Sequence, residues 1–354
     1  MKIIGTGSSL PQKVVTNDDL AAIMDTSDEW ISSRTGIRKR HIATTETTTS
    51  LAVEAVKAAL SDAGTDGSEI DIIIAASVTG DKIVPSLACQ IQAEIGADSA
   101  VAFDINAACS GFLFALATAD AYFKTGRFHK AVILGAEVLS KIMDWNDRST
   151  CVLFGDGAGA AVVSDEGDSF KAFVQGSDGA GGKALDADNR PVLNPFVENK
   201  AENKPGYVTM DGRSVYKFAV KTVPAAIKQL LEETGWNGDD VSLYLLHQAN
   251  IRIIESVAKR LKQPMEKFPV NLQECGNISA ASVPILLDKV RKDGMIKTED
   301  KIILSGFGAG LTWGACAIEW YEEEVYYDSR RNFKRITCRS VQGSYGNRGA
   351  LPYY

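Results

Sequence analysis

The sequence predicts an α/β fold made of two similar halves, and three observations carry that reading. Short β-branched runs of strand length alternate with stretches whose apolar residues recur at helical spacing. The bulk numbers, 354 residues with 45% hydrophobic and 23% charged, suit two globular domains or one duplicated one. The third observation is an internal echo. Residues 131–140 (AVILGAEVLS) followed by 154–164 (FGDGAGAAVVS) resemble residues 301–320 in their order of strand, Gly-rich turn and strand. Residues 104–116 (DINAACSGFLFAL) resemble residues 271–287 (NLQECGNISAASVPILL) as a polar turn, small residues and then a helix.

Residues 51–63 space their apolar positions as an amphipathic helix. The run 70–77 (IDIIIAAS) is short and β-branched, the pattern of a strand buried on both faces, and 101–105 and 131–135 are similar. Residues 111–125 carry small and apolar side chains nearly all round, which predicts a buried helix. Residues 151–164 read as a Gly-rich turn between apolar runs, and 176–206, rich in Gly, Asp, Asn and Pro, as a long irregular connection. A helix over 216–233 and a strand over 242–246 follow. The expected division is an N-terminal half over 1–175, the connection over 176–206, and a C-terminal half over 207–320. Residues 321–354 are an atypical tail, expected to be a flexible extension. The tail holds six of the ten tyrosines and a net charge of +2, so residues 1–320 carry −9.

Composition excludes several classes. The net charge of −7 disfavours a nucleic-acid partner. No apolar run reaches 18 residues, and the N-terminal stretch lacks a basic segment followed by a long apolar one, so neither a membrane span nor a secretory signal is expected. The expected location is the cytoplasm. Six scattered cysteines without a CxxC pair argue against disulfides there, and three histidines without HxH or HExxH spacing argue against a metal site.

Three residues stand out chemically. Cys109 lies between an apolar strand and a helix, where unpaired N–H groups and the helix dipole should favour thiolate, and its small neighbours Ala107, Ala108, Ser110 and Gly111 leave room for a substrate. Cysteine is also a common small core residue, so spacing alone leaves both readings open. His247 ends an apolar run and opens a helix, either as an active-site rim residue or as a satisfied structural histidine. Asn277 precedes a helix and by itself reads as an N-cap. Residues 306–314 (GFGAGLTWG) are either a tight turn or a place where backbone N–H groups approach a reacting oxygen.

Seven segments in order, DEWISSRTGI at 28–37, DINAACSGF at 104–112, FGDGAGAAV at 154–162, MDGRSVYKFAV at 210–220, HQANIRII at 247–254, GNISAASVP at 276–284 and GFGAGLTWG at 306–314, resemble the β-ketoacyl-acyl carrier protein synthase III family of the thiolase superfamily. The resemblance spans residues 1–320. It implies a five-layered αβαβα fold of two related halves with the active site between them. It also implies that Cys109 takes an acyl group from an acyl-CoA primer, and that the acyl-enzyme condenses with malonyl-acyl carrier protein as carbon dioxide leaves. No cofactor is implied.

Carried over position by position, His247 and Asn277 donate to the malonyl thioester oxygen, and the N–H groups of Cys109 and Ala309 form the oxyanion hole. Ala309 departs from a common all-Gly form of that turn. Phe307 shields the thiol. Trp30 and Arg148 sandwich the coenzyme A adenine and Arg34 meets its phosphates. Met210, Gly212, Tyr216 and Asn250 line the pantetheine tunnel. Gln248, Ala249, Asn250, Ile251 and Arg252 form the carrier-protein docking segment, and Val84 bounds the primer pocket at a homodimer contact. Related readings are a Cys-His-Asn condensing enzyme of polyketide or other secondary metabolism, and a catalytically silent scaffold that keeps the fold. Elongating synthases place a second His where Asn277 stands, and thiolases a second Cys late in the chain; His41, His129 and Cys316 fall outside those segments.

Overall fold

The computed structural model describes residues 1–189, 191–192, 194–196 and 206–321, together with the backbone of 325–328 and 333–336. The chain opens with strand β1 (Lys2–Ser9), then β2 (Val14–Thr16), helices α1 (Asn17–Ala21) and α2 (Asp28–Thr35), and β3 (Lys39–His41). Helix α3 (Thr48–Ala63) follows a reciprocal cap in which the Thr47 and Ser50 side chains each bond the other's backbone N–H, and it stops at Gly64 with φ 60°. Next come β4 (Ile72–Ala76), α4 (Leu87–Glu94), β5 (Val101–Ile105), α5 (Gly111–Phe123), β6 (Lys130–Val138), β7 (Asp156–Ser164) and β8 (Phe170–Ser177). The short strands β9 (Leu185–Ala187) and β10 (Val208–Met210) pair with each other inside the stretch read as irregular. The rest is α6 (Gly212–Thr234), β11 (Val241–Leu246), α7 (Ile251–Leu261), α8 (Leu272–Cys275), α9 (Ser282–Lys292), β12 (Lys301–Gly308) and β13 (Thr312–Glu319).

Two sheets organise these elements. The first runs β1-β7-β6-β4-β5 and the second β11-β12-β13-β8. The same order of pairings recurs in both. β4 lies parallel to β6, which is antiparallel to β7, which is antiparallel to β1. Likewise β11 is parallel to β12, which is antiparallel to β13, which is antiparallel to β8. The second sheet therefore draws one strand, β8, from before residue 207.

Helices α3 and α4 cover the outer face of the first sheet, α5 and α9 lie between the sheets, and α6 with α7 covers the outer face of the second. The result is the five-layered αβαβα arrangement. Burial explains the composition of each layer. Ile72, Ile73 and Ile74 of β4 are wholly buried because helices lie on both faces of the sheet, each contributing roughly 1.5–3 kcal/mol of transfer free energy. Helix α5, between two sheets, buries Phe112, Leu113, Leu116 and Phe123 on different sides, as its apolar circumference predicts.

The stretch 151–164 departs from the turn read in the sequence. Residues 156–164 are strand β7, and its glycines serve close packing: a Cβ at Gly159 would lie 2.6 Å from the backbone nitrogen of Ile285 in α9. Composition alone does not separate a glycine needed for a turn from one needed for close approach.

Residues 322–354 are a separate unit. Its described backbone is an antiparallel pair, β14 (Val325–Asp328) with β15 (Phe333–Ile336). The flexible extension read from the sequence otherwise lies outside the described residues. Among the described residues no helix is long and apolar enough to cross a membrane.

Candidate active site

The carboxyl ends of β5, β11 and β12 lead to the segments that hold the candidate residues, the usual place for a site in an open α/β sheet. From β5 the chain turns through Asn106, whose Oδ1 accepts from Ala108 N–H at 3.3 Å, and Ala108 takes a left-handed φ of 45°. Cys109 follows in a single 3₁₀ turn directly ahead of α5. From β11 the chain passes to His247, whose N–H donates to Ser305 of β12 at 2.8 Å. Asn277 sits before α9. Its backbone is held by Leu153 and Gly155, and its Oδ1 accepts from Ser279 N–H at 2.8 Å. The carboxamide oxygen is thereby occupied, which leaves the NH₂ group as the donor. Asn277 caps Ser279, ahead of the helix, and not the first turn of α9 itself.

Cys109, His247, Asn277 and Phe307 meet on one cavity of about 130 Å³. Met210, Gly212, Tyr216, Ala249 and Asn250 line the same cavity. A second, larger cavity of about 1330 Å³ also reaches Cys109 and is lined by Val84, Ser279, Ala309 and Thr312 among others. Cys109 is thus a wall shared by a narrow tunnel and a wide space. Phe307 is 4% exposed and presents its ring edge-on to His247 at 5.4 Å, which keeps water from the imidazole.

The electrostatics revise one expectation. The thiol of Cys109 was expected to be lowered by its helix terminus. Burial instead pushes it up to about 12, with the Ser279 hydroxyl pulling the other way. Burial also drives His247 down to about 3. Burial thus favours the neutral thiol and the neutral imidazole over an ion pair. His247 Nδ1 is buried with no hydrogen-bond partner among the described residues.

Gly308 explains part of the Gly-rich segment. A Cβ there would lie 2.6 Å from Cys109 N, so the end of β12 rests directly on the nucleophile's backbone. Ala309, one residue on, lines the larger cavity beside Cys109.

At the surface, Arg34 and Arg148 both lie over the Trp30 ring, 4.7 and 5.2 Å from its centroid. Arg148 is also tied to Asp25 at 3.2 Å. A base stacked between Trp30 and Arg148 needs about 3.5–4 Å on each face, so Arg148 has to swing away to admit one. Asn250 caps α7, bonding Arg252 N–H, and donates to Arg34 O at 3.0 Å. Arg252 is exposed and donates to Ser33 O at 2.7 Å. Ala249 and Ile251 are half-buried.

Gln248 does not fit a docking role. It is 1% exposed, its Nε2 donates to Leu246 O and its Oε1 accepts from Asn271 N–H. Both ends of the amide are spent on bracing the turn. His41 bonds Pro11 O and His129 bonds Asp165, so both are engaged elsewhere. Cys316 is wholly buried in β13.

Four polar residues around the site were not singled out in the sequence. Ser110, Ser279 and Thr312 pack about the Cys109 turn, and Glu137 is wholly buried at the end of β6. Glu137 accepts from Thr79, Val78 N–H and Ser77, yet burial still lifts its carboxyl to about 7. The position of Ser279 two residues after Asn277, like that of Ala108 after Asn106, was a readable hint; the others carry no local signal.

Comparison with known proteins agrees with this geometry. Two family models match, 3-Oxoacyl-[acyl-carrier-protein (ACP)] synthase III over residues 103–179 and its C-terminal counterpart over residues 231–320. The β-ketoacyl-[acyl-carrier-protein] synthase III of Clostridium acetobutylicum is 49% identical over 324 residues, 90% of this chain and 98% of that protein. The one of Streptococcus sanguinis is 47% identical over 320 residues, again covering 90% and 98%. The crystal structure of 3-oxoacyl-[acyl-carrier-protein] synthase III from Aquifex aeolicus superposes with a TM-score of 0.84 at 46% identity, covering 90% of this chain and 99% of that one. With identity of 46–49% along 90% of this chain and nearly the whole of each relative, the chain belongs to the β-ketoacyl-[acyl-carrier-protein] synthase III family of condensing enzymes.

Proposed function

We propose that this protein joins an acyl-CoA primer to malonyl-acyl carrier protein, with Cys109 as nucleophile and His247 and Asn277 as donors to the malonyl thioester. The observation that carries this reading is the convergence of those three side chains on one small cavity. Cys109 Sγ attacks the thioester carbon. The oxygen charge that develops is met by the N–H groups of Cys109 and Ala309, the C–S bond to coenzyme A breaks, and the proton lost from Sγ ends on the departing sulfur.

In the second half-reaction malonyl-acyl carrier protein enters. Its C–C bond to the carboxylate breaks, carbon dioxide leaves, and the electron pair forms an enolate. Asn277 donates through Nδ2, and His247 through Nε2 in the tautomer that leaves the sealed Nδ1 bare. Donors fixed in a dry site favour the enolate oxygen over the ground-state carbonyl. The enolate carbon attacks the acyl-enzyme, Cys109 is released and regains a proton, and 3-oxoacyl-acyl carrier protein departs.

The tunnel past Met210, Gly212, Tyr216 and Asn250 suits a pantetheine arm, with Trp30, Arg34 and Arg148 at its coenzyme A end. Asn250, Ile251 and exposed Arg252 suit an acidic carrier protein. No cofactor enters these steps. Val84 is 80% exposed beside the larger cavity, where a second copy in a homodimer would bound the primer end. If so, Val84→Phe shifts relative rates toward acetyl-CoA over isobutyryl- and hexanoyl-CoA; unchanged ratios remove Val84 from the pocket. We read 1–175 and 207–320 as the two halves, the first lending β8 to the second sheet, the tail as outside the reaction, and the protein as cytoplasmic.

Labelled acyl-CoA tests the reading. Wild type should retain label and Cys109→Ala none. His247→Ala and Asn277→Ala should acylate within about tenfold of wild type but lose decarboxylation by about 100-fold or more. Loss of acylation in both would contradict their assignment to the second half-reaction. Offering malonyl-CoA beside malonyl-acyl carrier protein distinguishes the carrier-free extension of plant-type polyketide enzymes.

A further inference from the structure

We propose that Thr312 is a positioning residue for acyl transfer, its hydroxyl holding the Cys109 turn and the Ala309 turn at the separation the oxyanion hole requires. The proposal rests on the reading of Cys109 and Ala309 N–H as that hole.

Thr312 Oγ1 lies 3.0 Å from Ala107 O, 3.0 Å from Ala309 O and 2.8 Å from Ser110 Oγ. Ser110 Oγ lies 2.8 Å from Ala107 O. Two hydroxyl protons therefore serve two carbonyls. Either each hydroxyl donates to one carbonyl, or Ser110 donates to Thr312 and Thr312 passes its proton to one of them. The relay in which Ser110 donates to Thr312 and Thr312 donates to Ala309 O is the arrangement that ties the two turns together through one side-chain atom.

Those carbonyls belong to the pieces of backbone that matter. Ala107 O sits on the peptide next to the one carrying Cys109 N–H, and Ala309 O is on the residue whose N–H is the second donor. Thr312 itself is anchored. It is the first residue of β13, opposite Gly308 of β12 on one side and Ser177 of β8 on the other. A rigid sheet position thus reaches across a glycine-only contact to tie the two N–H groups together. The left-handed Ala108 adds a reason, because a strained turn keeps its shape only while its surroundings hold it.

The test uses full-length Thr312→Val, which keeps the shape and removes the hydroxyl, and Thr312→Ser, which keeps the hydroxyl. Three rates are read: single-turnover uptake of labelled acetyl from acetyl-CoA, primer-free decarboxylation of malonyl-acyl carrier protein, and alkylation of Cys109 by iodoacetamide followed by peptide mass. Only the first needs the oxyanion hole. Thr312→Val should slow uptake by about 10- to 100-fold, with half-saturation by acetyl-CoA unchanged within about threefold. Decarboxylation and alkylation should stay within about twofold, and Thr312→Ser should recover uptake to within about threefold of wild type. Uptake at the wild-type rate in Thr312→Val overturns the proposal. So does a parallel loss of all three rates, or a Thr312→Ser as slow as the valine variant. If wild type itself takes up no acetyl, the nucleophile reading has failed and this inference falls with it.

Discussion

The Cys109 turn and the Asn277 turn are built alike and used differently. Each opens on an asparagine whose Oδ1 accepts from the amide two residues on, at 3.3 Å from Ala108 and 2.8 Å from Ser279. Each then takes a left-handed residue, Ala108 with φ 45° and Ser279 with φ 46°, and a short 3₁₀ turn leading into a helix between the sheets. The side chains divide the work. Asn106 is exposed while Asn277 is 7% exposed on the catalytic cavity, and the position after the left-handed residue is Cys109 in one turn and Ala280 in the other. One backbone device presents a thiol after β5 and an amide after α8.

The comparison breaks most severely at Gly308, which serves only the Cys109 turn. Gly308→Ala should cut acetyl uptake by about 100-fold or more, since its Cβ would fall 2.6 Å from Cys109 N and displace the turn. The Asn277 turn should survive, so primer-free decarboxylation should fall much less. Equal loss of both rates would mean that the two turns move as one body.

The matched pair Asn106→Ala and Asn277→Ala sharpens the comparison. Each removes a turn hydrogen bond, and each should cost about 0.5–1.5 kcal/mol in denaturant unfolding. Asn277→Ala should also lose decarboxylation by about 100-fold, whereas Asn106→Ala should keep it within about threefold. Comparable losses in both variants would assign Asn277 to the turn alone.

The smallest effects concern pH. Glu137 faces Ser77, Val78, Thr79, Ser279 and Cys109. Its folded-state value of about 7 lies above its ordinary 4.5, so its contribution to stability is fully present below about 4.5 and is lost as pH rises through 7. Glu137→Gln should therefore lose less stability than wild type between pH 5 and 8, read as the shift in denaturation midpoint. Identical shifts would mean that the carboxyl is ionised throughout. His247, lowered to about 3, stays neutral over that range, and primer-free decarboxylation should show no inflection from it.

Much of this was legible in the chain. The buried strand β4, the all-round apolar α5, and the placing of Cys109 and His247 after strands follow from local pattern, because periodicity reports which faces are covered. The glycines of β7 were read as a turn because local composition does not show which backbone approaches them, whereas for those of 306–314 a turn and a close approach were both left open. Gln248 was placed in the docking segment by resemblance alone, and no local pattern shows that both ends of its amide are consumed inside.

By itself the sequence determined the alternation of strands and helices, the repeated order of turn and helix, and the residue types able to carry the chemistry. These depend on side-chain periodicity and intrinsic reactivity, which are local. Only the tertiary structure decided that burial outweighs the helix terminus at Cys109, that burial lowers His247, and that Thr312 lies against Ala107, about 200 residues away in sequence. Desolvation and hydrogen bonding between distant segments arise only once the two sheets are packed together.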